Sequence, residues 1–294
     1  MKSLRILAVF VAVLGLAASA GAQGTTGSLT GTVVDEQGAV MPGAAVSALN
    51  AATGLQRSTT TDTSGSFVLH GLPVGNYELK VEMSGFAPVT RPNVPVNVGA
   101  TSVLEFKLSV ASQTEELTVT ADAPLISAKE SGVGEIVTGT QIENLPLNGR
   151  QFGNLAALVP GVGLGFHPDP TKSTQFAPQV AGGTGPNINY LIDGGDNNDA
   201  TVGGMVQNFP LDSVGEFNFV TQRFKAEYGR SYGGVLQVVT KSGTNDLRGS
   251  VFNYFRDKSL NAQTETEKLS GVEKGDYRKY QFGASLGGPI KKDK

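Results

Sequence analysis

The stretch STTTDTSGSFVLHGLPVGNYELKVEMSGF, residues 58–86, contains two strand-like patterns joined by residues that form turns. Its polar turn at residues 62–65 ends in glycine, which adopts a positive φ at little energetic cost. Further along, Tyr77, Leu79 and Val81 alternate with polar or charged residues, so the apolar side chains share one face. This period of two predicts a β-strand with one buried face, and therefore a fold that begins with β structure.

The same pattern continues on both sides of this stretch. GTVVDEQGAVMPGAAV, residues 31–46, predicts a strand through Val34 and another from Ala44, separated by a turn that contains glycine. Residues 102–108 predict a last strand. Several short strands separated by turn signals are typical of a β-sandwich, which we place at residues 27–109.

Residues 31–46 and 58–86 together resemble the carboxypeptidase regulatory-like domain, a transthyretin-like β-sandwich of the carbohydrate-binding-like fold group. The resemblance implies a fold rather than an activity, because this domain is an accessory in many secreted proteins. The family's name implies no peptidase here. The chain has no cysteine, and its two histidines, His70 and His167, lie far apart in sequence, so no zinc-binding pattern is present.

The first residues have the organisation of a secretory signal peptide. Lys2 and Arg5 supply positive charge, residues 6–18 are apolar and uncharged, and residues 20–22 are small, as cleavage requires. The apolar segment is too short to span a bilayer as a helix. We therefore assign residues 1–22 to a signal peptide and expect an exported protein.

Composition excludes several classes of function. Without Lys2 and Arg5, the 23 basic residues fall to 21 against 26 acidic ones, a net charge of −5, which argues against nucleic acid as a partner. The absence of cysteine excludes a disulfide framework, thiolate metal sites and cysteine nucleophiles. Stability must therefore come from packed cores rather than from cross-links.

Residues 110–124 form a polar linker that ends in proline. Within ASQTEELTVTADAPL, residues 111–125, the segment 117–120 is strand-like, but the sequence offers no obvious strand to pair with it. Its backbone donors and acceptors therefore need a partner. The alternative is a linker that is β-prone by chance.

From residue 125 to residue 245 the pattern changes to mixed α/β. Thr140 and Glu143 match a capping box, which predicts a short helix. Asn148 is predicted to cap a second helix, whose apolar residues recur with helical spacing at Phe152, Leu155, Ala156 and Val159. Strands are predicted at residues 187–193, 216–221 and 235–240.

Residues 246–294 combine two amphipathic strand patterns with a long polar loop at residues 258–276. In KYQFGASLGG, residues 279–288, the apolar side chains share one face, and small or polar residues occupy the other. Such alternation with unequal loops is typical of an outer-membrane barrel, although an ordinary hairpin has the same pattern.

Four further segments occur in a distinctive order: TGTQIENLPLNGRQFGNLAALVPGV (138–162), INYLIDGGDNND (188–199), FPLDSVGEFNFVTQRFKAEYGRSYGGVLQVVTKSGTND (209–246) and GSVFNYFRD (249–257). They resemble the plug and first barrel strand of TonB-dependent outer-membrane receptors, in particular the Oar-like group, in which a regulatory-like sandwich precedes the plug. The resemblance implies a mainly β fold with a transthyretin-like sandwich, a mixed α/β plug at residues 125–245 and two strands of an incomplete barrel at residues 246–294. A complete barrel has about 22 strands, so we expect a fragment, either a truncated gene product or an incomplete assembly.

The same resemblance implies a partner for the linker. Its strand-like segment resembles the TonB box, which pairs as an added strand with the periplasmic protein TonB, and the residues concerned are Glu116, Leu117, Thr118, Val119, Thr120 and Ala121. In strand addition the main-chain hydrogen bonds supply the affinity, and side-chain identity contributes little. About five such bonds, at about 0.5–1.5 kcal/mol each, give a contact that forms and releases readily.

Three chemical motifs do not support a catalytic or cofactor site. GRSYG, residues 229–233, matches the nucleophile elbow around Ser231, but a strand follows it where that motif needs a helix, and both histidines precede it. The acidic loop at residues 193–199 is not followed by the glutamate that an EF-hand needs, which leaves a solvated loop or a looser calcium site. We interpret the glycine run at residues 161–165 as a loop. We predict no cofactor and no metal site.

The predicted function is energy-coupled uptake by a TonB-dependent receptor in the outer membrane, with the sandwich and plug facing the periplasm and no enzymatic activity. Its substrate stays open among carbohydrates, oligopeptides and chelated iron, because specificity depends on sites rather than folds. Two other classes stay open. One is an exported carbohydrate-binding or adhesion protein that uses the sandwich, and the other is a secreted hydrolase that uses Ser231.

Overall fold

The structure, a computed structural model, describes residues 25–111, 117–118, 132–145, 147, 150–166, 176–180, 182 and 187–293. These residues form a mainly β fold, which confirms the predicted fold class. Among them, no helix is long and apolar enough to cross a lipid bilayer. The described residues up to Lys241 belong to one compact unit, and those from Ser242 onward belong to a second. The predicted signal peptide, residues 1–22, lies outside the described residues.

The first part of the chain folds as a β-sandwich. Its strands are β1 Thr26–Asp35, β2 Ala45–Asn50, β3 Leu55–Thr60, β4 Ser66–Pro73, β5 Gly75–Glu82, β6 Val89–Val96, β7 Thr101–Leu108 and β8 Leu117–Thr118. One sheet has the strand order β4-β1-β7, and the other has the order β3-β2-β5-β6-β8. β1 is antiparallel to β4 and parallel to β7, whereas the pairs β2–β3, β2–β5 and β5–β6 are antiparallel.

The core of the sandwich lies between the two sheets, where the alternating pattern buries one face of each strand. Tyr77, Leu79 and Val81 are all buried, as their spacing predicts. Phe67 from β4 and Phe106 from β7 pack in the same core, with their ring centroids 6.1 Å apart. The sandwich is therefore held by an apolar core that joins strands distant in sequence.

The region after the linker contains a second sheet. Its elements are β9 Val133–Thr138, α1 Gly139–Asn144, a 3₁₀ helix Phe152–Leu158, β10 Val162–Phe166, β11 Phe176–Val180, β12 Asn189–Ile192, β13 Gly195–Asp196, a 3₁₀ helix Leu211–Ser213, β14 Val214–Gln222 and β15 Val235–Thr240. Five strands form a sheet in the order β13-β12-β15-β14-β9, which we call the mixed sheet, and β10 pairs separately with β11. Within the mixed sheet β12 is parallel to β15, and the other pairs are antiparallel.

Three local predictions in this region are wrong. α1 begins after Thr138 rather than at the predicted cap, and the main-chain nitrogen of Thr138 donates to Gln141 Oε1 at 2.9 Å. The second predicted helix is a 3₁₀ helix, although its predicted apolar residues Phe152 and Leu155 are buried. The glycine run at residues 161–165 is largely strand, because β10 pairs with β11. Only the last of these differences follows from pairing with a separate strand, whereas the cap of α1 is formed locally by Thr138 and Gln141.

Replacing Thr138 with alanine should destabilise α1 by about 1 kcal/mol, because Thr138 is the N-cap residue and its hydroxyl, which donates to Gln141 Oε1 at 3.1 Å, belongs to the capping box. The matched variant Thr140→Ala should change the stability by less than about 0.5 kcal/mol, because Thr140 is exposed inside the first turn. Hydrogen exchange of the α1 amides in the full chain measures both effects. A larger effect at Thr140 than at Thr138 would support Thr140 as the N-cap residue, as the sequence predicts.

The second compact unit contains β16 Arg248–Asp257, α2 Glu265–Leu269 and β17 Arg278–Gly287. β16 and β17 pair antiparallel along their whole length and form what we call the hairpin. On one face of the hairpin, Phe282 and Leu286 are each 79% exposed. On the other face, the Phe252 ring covers Gly283 and the hydroxyls of Ser250 and Ser285 lie 2.7 Å apart. The amphipathic strand pattern predicted for this region is thus confirmed.

Candidate partner-binding site

The predicted TonB-box segment is described only in part. Leu117 and Thr118 form β8, which pairs parallel with Val89 and Thr90 of β6. The sequence offered no partner for this segment within the chain, and the structure corrects that expectation for these two residues. The other predicted members, Glu116, Val119, Thr120 and Ala121, lie outside the described residues.

The start of the linker is held by the same sandwich. Val110 forms an antiparallel bridge with Phe86, in the turn that joins β5 to β6. The main-chain nitrogen of Ala111 donates to the main-chain oxygen of Gly85 at 3.1 Å. The linker therefore leaves the sandwich beside this turn, next to the start of β6.

β8 occupies one edge of its sheet. An edge strand presents main-chain donors and acceptors on the side away from its neighbour, which is where a foreign strand can add. If each of the two described residue pairs between β8 and β6 supplies one hydrogen bond, at about 0.5–1.5 kcal/mol each, they contribute about 1–3 kcal/mol. A partner strand that makes about five bonds could therefore extend the sheet beyond β8 or displace β8 from β6.

A second site, which the sequence analysis missed, joins the sandwich to the mixed sheet. Side chains alternate along a strand, so β14 places Phe217 and Phe219 in the core and Glu216 and Asn218 on the opposite face. Gln237 of β15 pairs with Asn218 in the register and shares that face. Glu216, Asn218 and Gln237, which we call the polar strip, are only 4%, 6% and 3% exposed. The available signal was a glutamate and an asparagine inside the otherwise apolar stretch VGEFNFV, residues 214–220.

The turn at residues 97–100, between β6 and β7, lies against the polar strip. The main-chain nitrogen of Val98 donates to Glu216 Oε1 at 2.5 Å, and Asn218 Nδ2 donates to the main-chain oxygen of Val98 at 3.0 Å. Lys225 Nζ lies 3.5 Å from the main-chain oxygen of Gly99. Both main-chain polar groups of Val98 are thus satisfied by side chains of the mixed sheet.

The electrostatics of this junction centre on Glu216. Burial raises the pKa of Glu216 to about 7, and the hydrogen bond from the Val98 N–H acts in the opposite direction. Burial has this effect because a carboxylate loses hydration when it leaves water, which favours the neutral acid. The Glu216 carboxyl therefore changes its charge near neutral pH.

The serine of the GRSYG motif has a structural role in the turn before β15. Ser231 Oγ donates to the main-chain oxygen of Asn187 at 3.0 Å and accepts from the main-chain nitrogen of Gly234 at 2.9 Å. A nucleophile elbow instead presents its serine between a strand and a helix. The contacts of Ser231 are those of a residue that closes a turn.

The carboxylates of the acidic loop are used as acceptors for nearby groups. Asp193 Oδ1 accepts from the main-chain nitrogen of Thr240 at 2.8 Å, and Asp196 forms an ion pair with Arg230 at 3.1 Å. Within the part of the chain that the structure describes, no group of three or more His, Cys, Asp or Glu residues could hold a metal ion. The carboxylates of Asp193 and Asp196 are thus used in contacts within the chain.

Comparison with known families gives two matches. Residues 28–109 match the family model of the carboxypeptidase regulatory-like domain. Residues 239–294 match the family model of the outer membrane beta barrel domain, which supports an outer-membrane location. The two matches fall on the sandwich and on the hairpin.

Comparison with individual proteins gives one match over the whole chain. The TonB-dependent transporter Oar of Myxococcus xanthus is 29% identical over 307 residues, which cover 100% of this chain and 28% of that transporter. This chain therefore spans little more than a quarter of the length of its curated relative. The resemblance to Oar-like TonB-dependent receptors that the sequence predicts is confirmed.

Solved structures overlap with parts of the chain. The siderophore receptor PirA from Acinetobacter baumannii is 19% identical and covers 55% of this chain and 23% of its own, with a TM-score of 0.41. The Bacillus anthracis TIE protein is 27% identical and covers 29% of this chain and 17% of its own, with a TM-score of 0.25. Overlaps of this size carry no conclusion about function.

Proposed function

We propose that this chain is the periplasmic and plug part of a TonB-dependent outer-membrane receptor, which takes up a substrate with energy supplied through TonB. The observation that carries the proposal is the alignment of the whole chain with the TonB-dependent transporter Oar at 29% identity. The order of parts supports it as well, since a sandwich, a linker and a mixed sheet precede a hairpin with an exposed apolar face.

Each part has a physical role in this proposal. The mixed sheet, within residues 125–245, is the plug, and residues 246–294 begin the barrel. The exposed Phe282 and Leu286 suit a face that contacts lipid. Export is directed by residues 1–22, and the sandwich and the plug face the periplasm.

The linker is the part that we assign to TonB. Strand addition needs a segment that exposes its main chain and requires little side-chain identity. β8 meets the first condition because it is an edge strand, and its described residues form two pairs with β6. TonB, drawing on the inner-membrane proton gradient, would then pull on the linker and remodel the plug to open a path.

Capture of the full chain by immobilised TonB C-terminal domain tests the assignment. Replacing residues 116–121 with six Gly and Ser residues should reduce capture at least about tenfold, because several main-chain hydrogen bonds would have to form from a more flexible segment. The matched control replaces residues 122–127 in the same way, which keeps the linker length but leaves the box intact, and should be captured like the original chain.

Two outcomes would contradict the proposal. Equal capture of the two replaced chains would show that residues 116–121 are not the TonB contact. Failure of the original chain to be captured, together with its retention on immobilised glycans, would favour the exported carbohydrate-binding protein that uses the sandwich.

A further inference from the structure

We propose that the sandwich is held on the mixed sheet by a proton-controlled contact, in which the turn at residues 97–100 docks on the polar strip while Glu216 is protonated and loosens when Glu216 ionises. This contact lies within the first compact unit. The inference does not depend on the proposed function, since it concerns how two parts of one chain hold together.

The burial of Val98 is the first argument for a built contact. Val98 is 0% exposed, yet it is a member of neither the sandwich core nor the core of the mixed sheet. Its main-chain nitrogen and oxygen are both bonded to the polar strip. A side chain that is fully buried outside both cores is covered by the junction itself.

The packing around Gly99 is the second argument. Gly99 has a φ of +69°, and a Cβ placed on it would lie 3.0 Å from Gln237 Oε1 and 3.6 Å from Asn218 Nδ2. The turn therefore approaches the polar strip as closely as a residue without a side chain allows. Gln237 is itself held by a hydrogen bond of 2.9 Å from its Nε2 to Tyr228 Oη.

The charged groups on the surrounding elements are few and mostly engaged elsewhere. Lys225 follows β14 and contacts the main-chain oxygen of Gly99. Lys241, just after β15, pairs with Glu143 of α1 at 2.7 Å. Glu135 of β9 lies opposite Phe219 in the register, which places it on the face away from Glu216. The pKa of Glu216 is thus set mainly by the burial of its carboxyl under the turn.

The direction of the pH dependence follows from this burial. In the docked state the pKa of Glu216 is about 7, whereas a solvated glutamate has its usual value of 4.5. The docked state therefore binds the proton more tightly, so docking is strongest below about pH 4.5 and weakens as the pH rises towards about 7. The difference between these two pKa values, about 2.5 units, changes the docking constant by about 300-fold across this window.

A pair of spin labels can measure the docking directly, because the chain has no cysteine of its own. One label is attached at Glu78→Cys in the sandwich and the other at Thr201→Cys beside the mixed sheet, and both sites are exposed. The distance distribution of the full chain is recorded from pH 5 to pH 8. A single narrow distance is expected at pH 5, with a second, broader population that grows towards pH 8.

Glu216→Gln is the decisive variant, because the amide keeps an acceptor for the Val98 N–H but cannot ionise. It should stay docked across the whole pH range. Glu135→Gln is the matched control on the neighbouring strand β9, and it should keep the pH response of the original chain. A distance distribution that does not change with pH in the original chain, or a response that persists in Glu216→Gln, would overturn the proposal.

A second variant decides the matter if Glu216→Gln fails to fold. Gly99→Ala should shift the distribution towards the undocked population at every pH, because its methyl group meets Gln237. Gly38→Ala is the control, since Gly38 also has a positive φ, +85°, but a Cβ there would meet no atom within 4 Å. Equal distance distributions for the two glycine variants would contradict the docking proposal. That result would not bear on the proposed function, which capture by the TonB domain tests separately.

Discussion

Replacing Val119 with proline is expected to abolish detectable capture by the TonB C-terminal domain. Proline removes a main-chain donor and fixes φ, and the acceptor that is left unpaired in the added strand costs up to about 3 kcal/mol. A loss of that size weakens binding by about 100-fold. Because the added strand makes only about five main-chain bonds, the remaining bonds would not compensate.

Thr118→Ala is the matched variant for this prediction. It changes a side chain and leaves every main-chain group in place, so capture should fall less than about threefold. Val119→Pro also spares the main-chain nitrogens of Leu117 and Thr118, which belong to the strand β8. Binding isotherms of both variants to the TonB domain make the comparison. Capture of Val119→Pro at the original affinity would mean that the box lies elsewhere in the linker.

Replacing Phe67 with alanine is expected to destabilise the sandwich by about 3–5 kcal/mol. The Phe67 side chain is 1% exposed and packs near Phe106. It also covers Gly31 of the central strand β1, where a Cβ would lie 2.7 Å from the Phe67 ring. Alanine would therefore leave a cavity that the rigid strand cannot close. Since domains are stable by only about 5–15 kcal/mol, this is a large share of the total.

Hydrogen exchange of the β1 and β7 amides in the full chain measures this loss, because those amides report on opening of the sandwich itself. Val68→Ala is the control on the same strand. Val68 is 43% exposed and points to the other face, so its replacement should cost less than about 1 kcal/mol. Equal exchange in the two variants would show that Phe67 does not support the core as its packing indicates.

The sandwich could be predicted from local patterns with considerable accuracy. The strand predicted from Ala44 begins at Ala45, and the strand predicted at residues 102–108 is β7 Thr101–Leu108. The alternation that placed Tyr77 on the buried face is also confirmed. Such success is expected, because in a strand with one buried face every second residue is apolar. The local sequence therefore shows both the strand and its buried face.

The region between the linker and β14 was predicted less well. β9 Val133–Thr138 has no clear alternation, and in β10 Val162–Phe166 the apolar residues alternate with glycine, which has a low strand propensity. β9 is a strand because it pairs with β14, and β10 is one because it pairs with β11. Pairing between strands distant in sequence can override weak local propensity, which is why these elements were missed.

By itself, the sequence determined the class of each described part: a β-sandwich, a strand-like segment in the linker, a mixed region and an amphipathic hairpin. Only the tertiary structure decided that Leu117 and Thr118 pair with β6 and that Glu216 is buried beneath Val98. The physical reason is that periodicity is a property of neighbouring residues, whereas a hydrogen-bond partner or a buried charge depends on residues brought together from far along the chain. Val98 and Glu216 are separated by 118 positions, and no local pattern connects them.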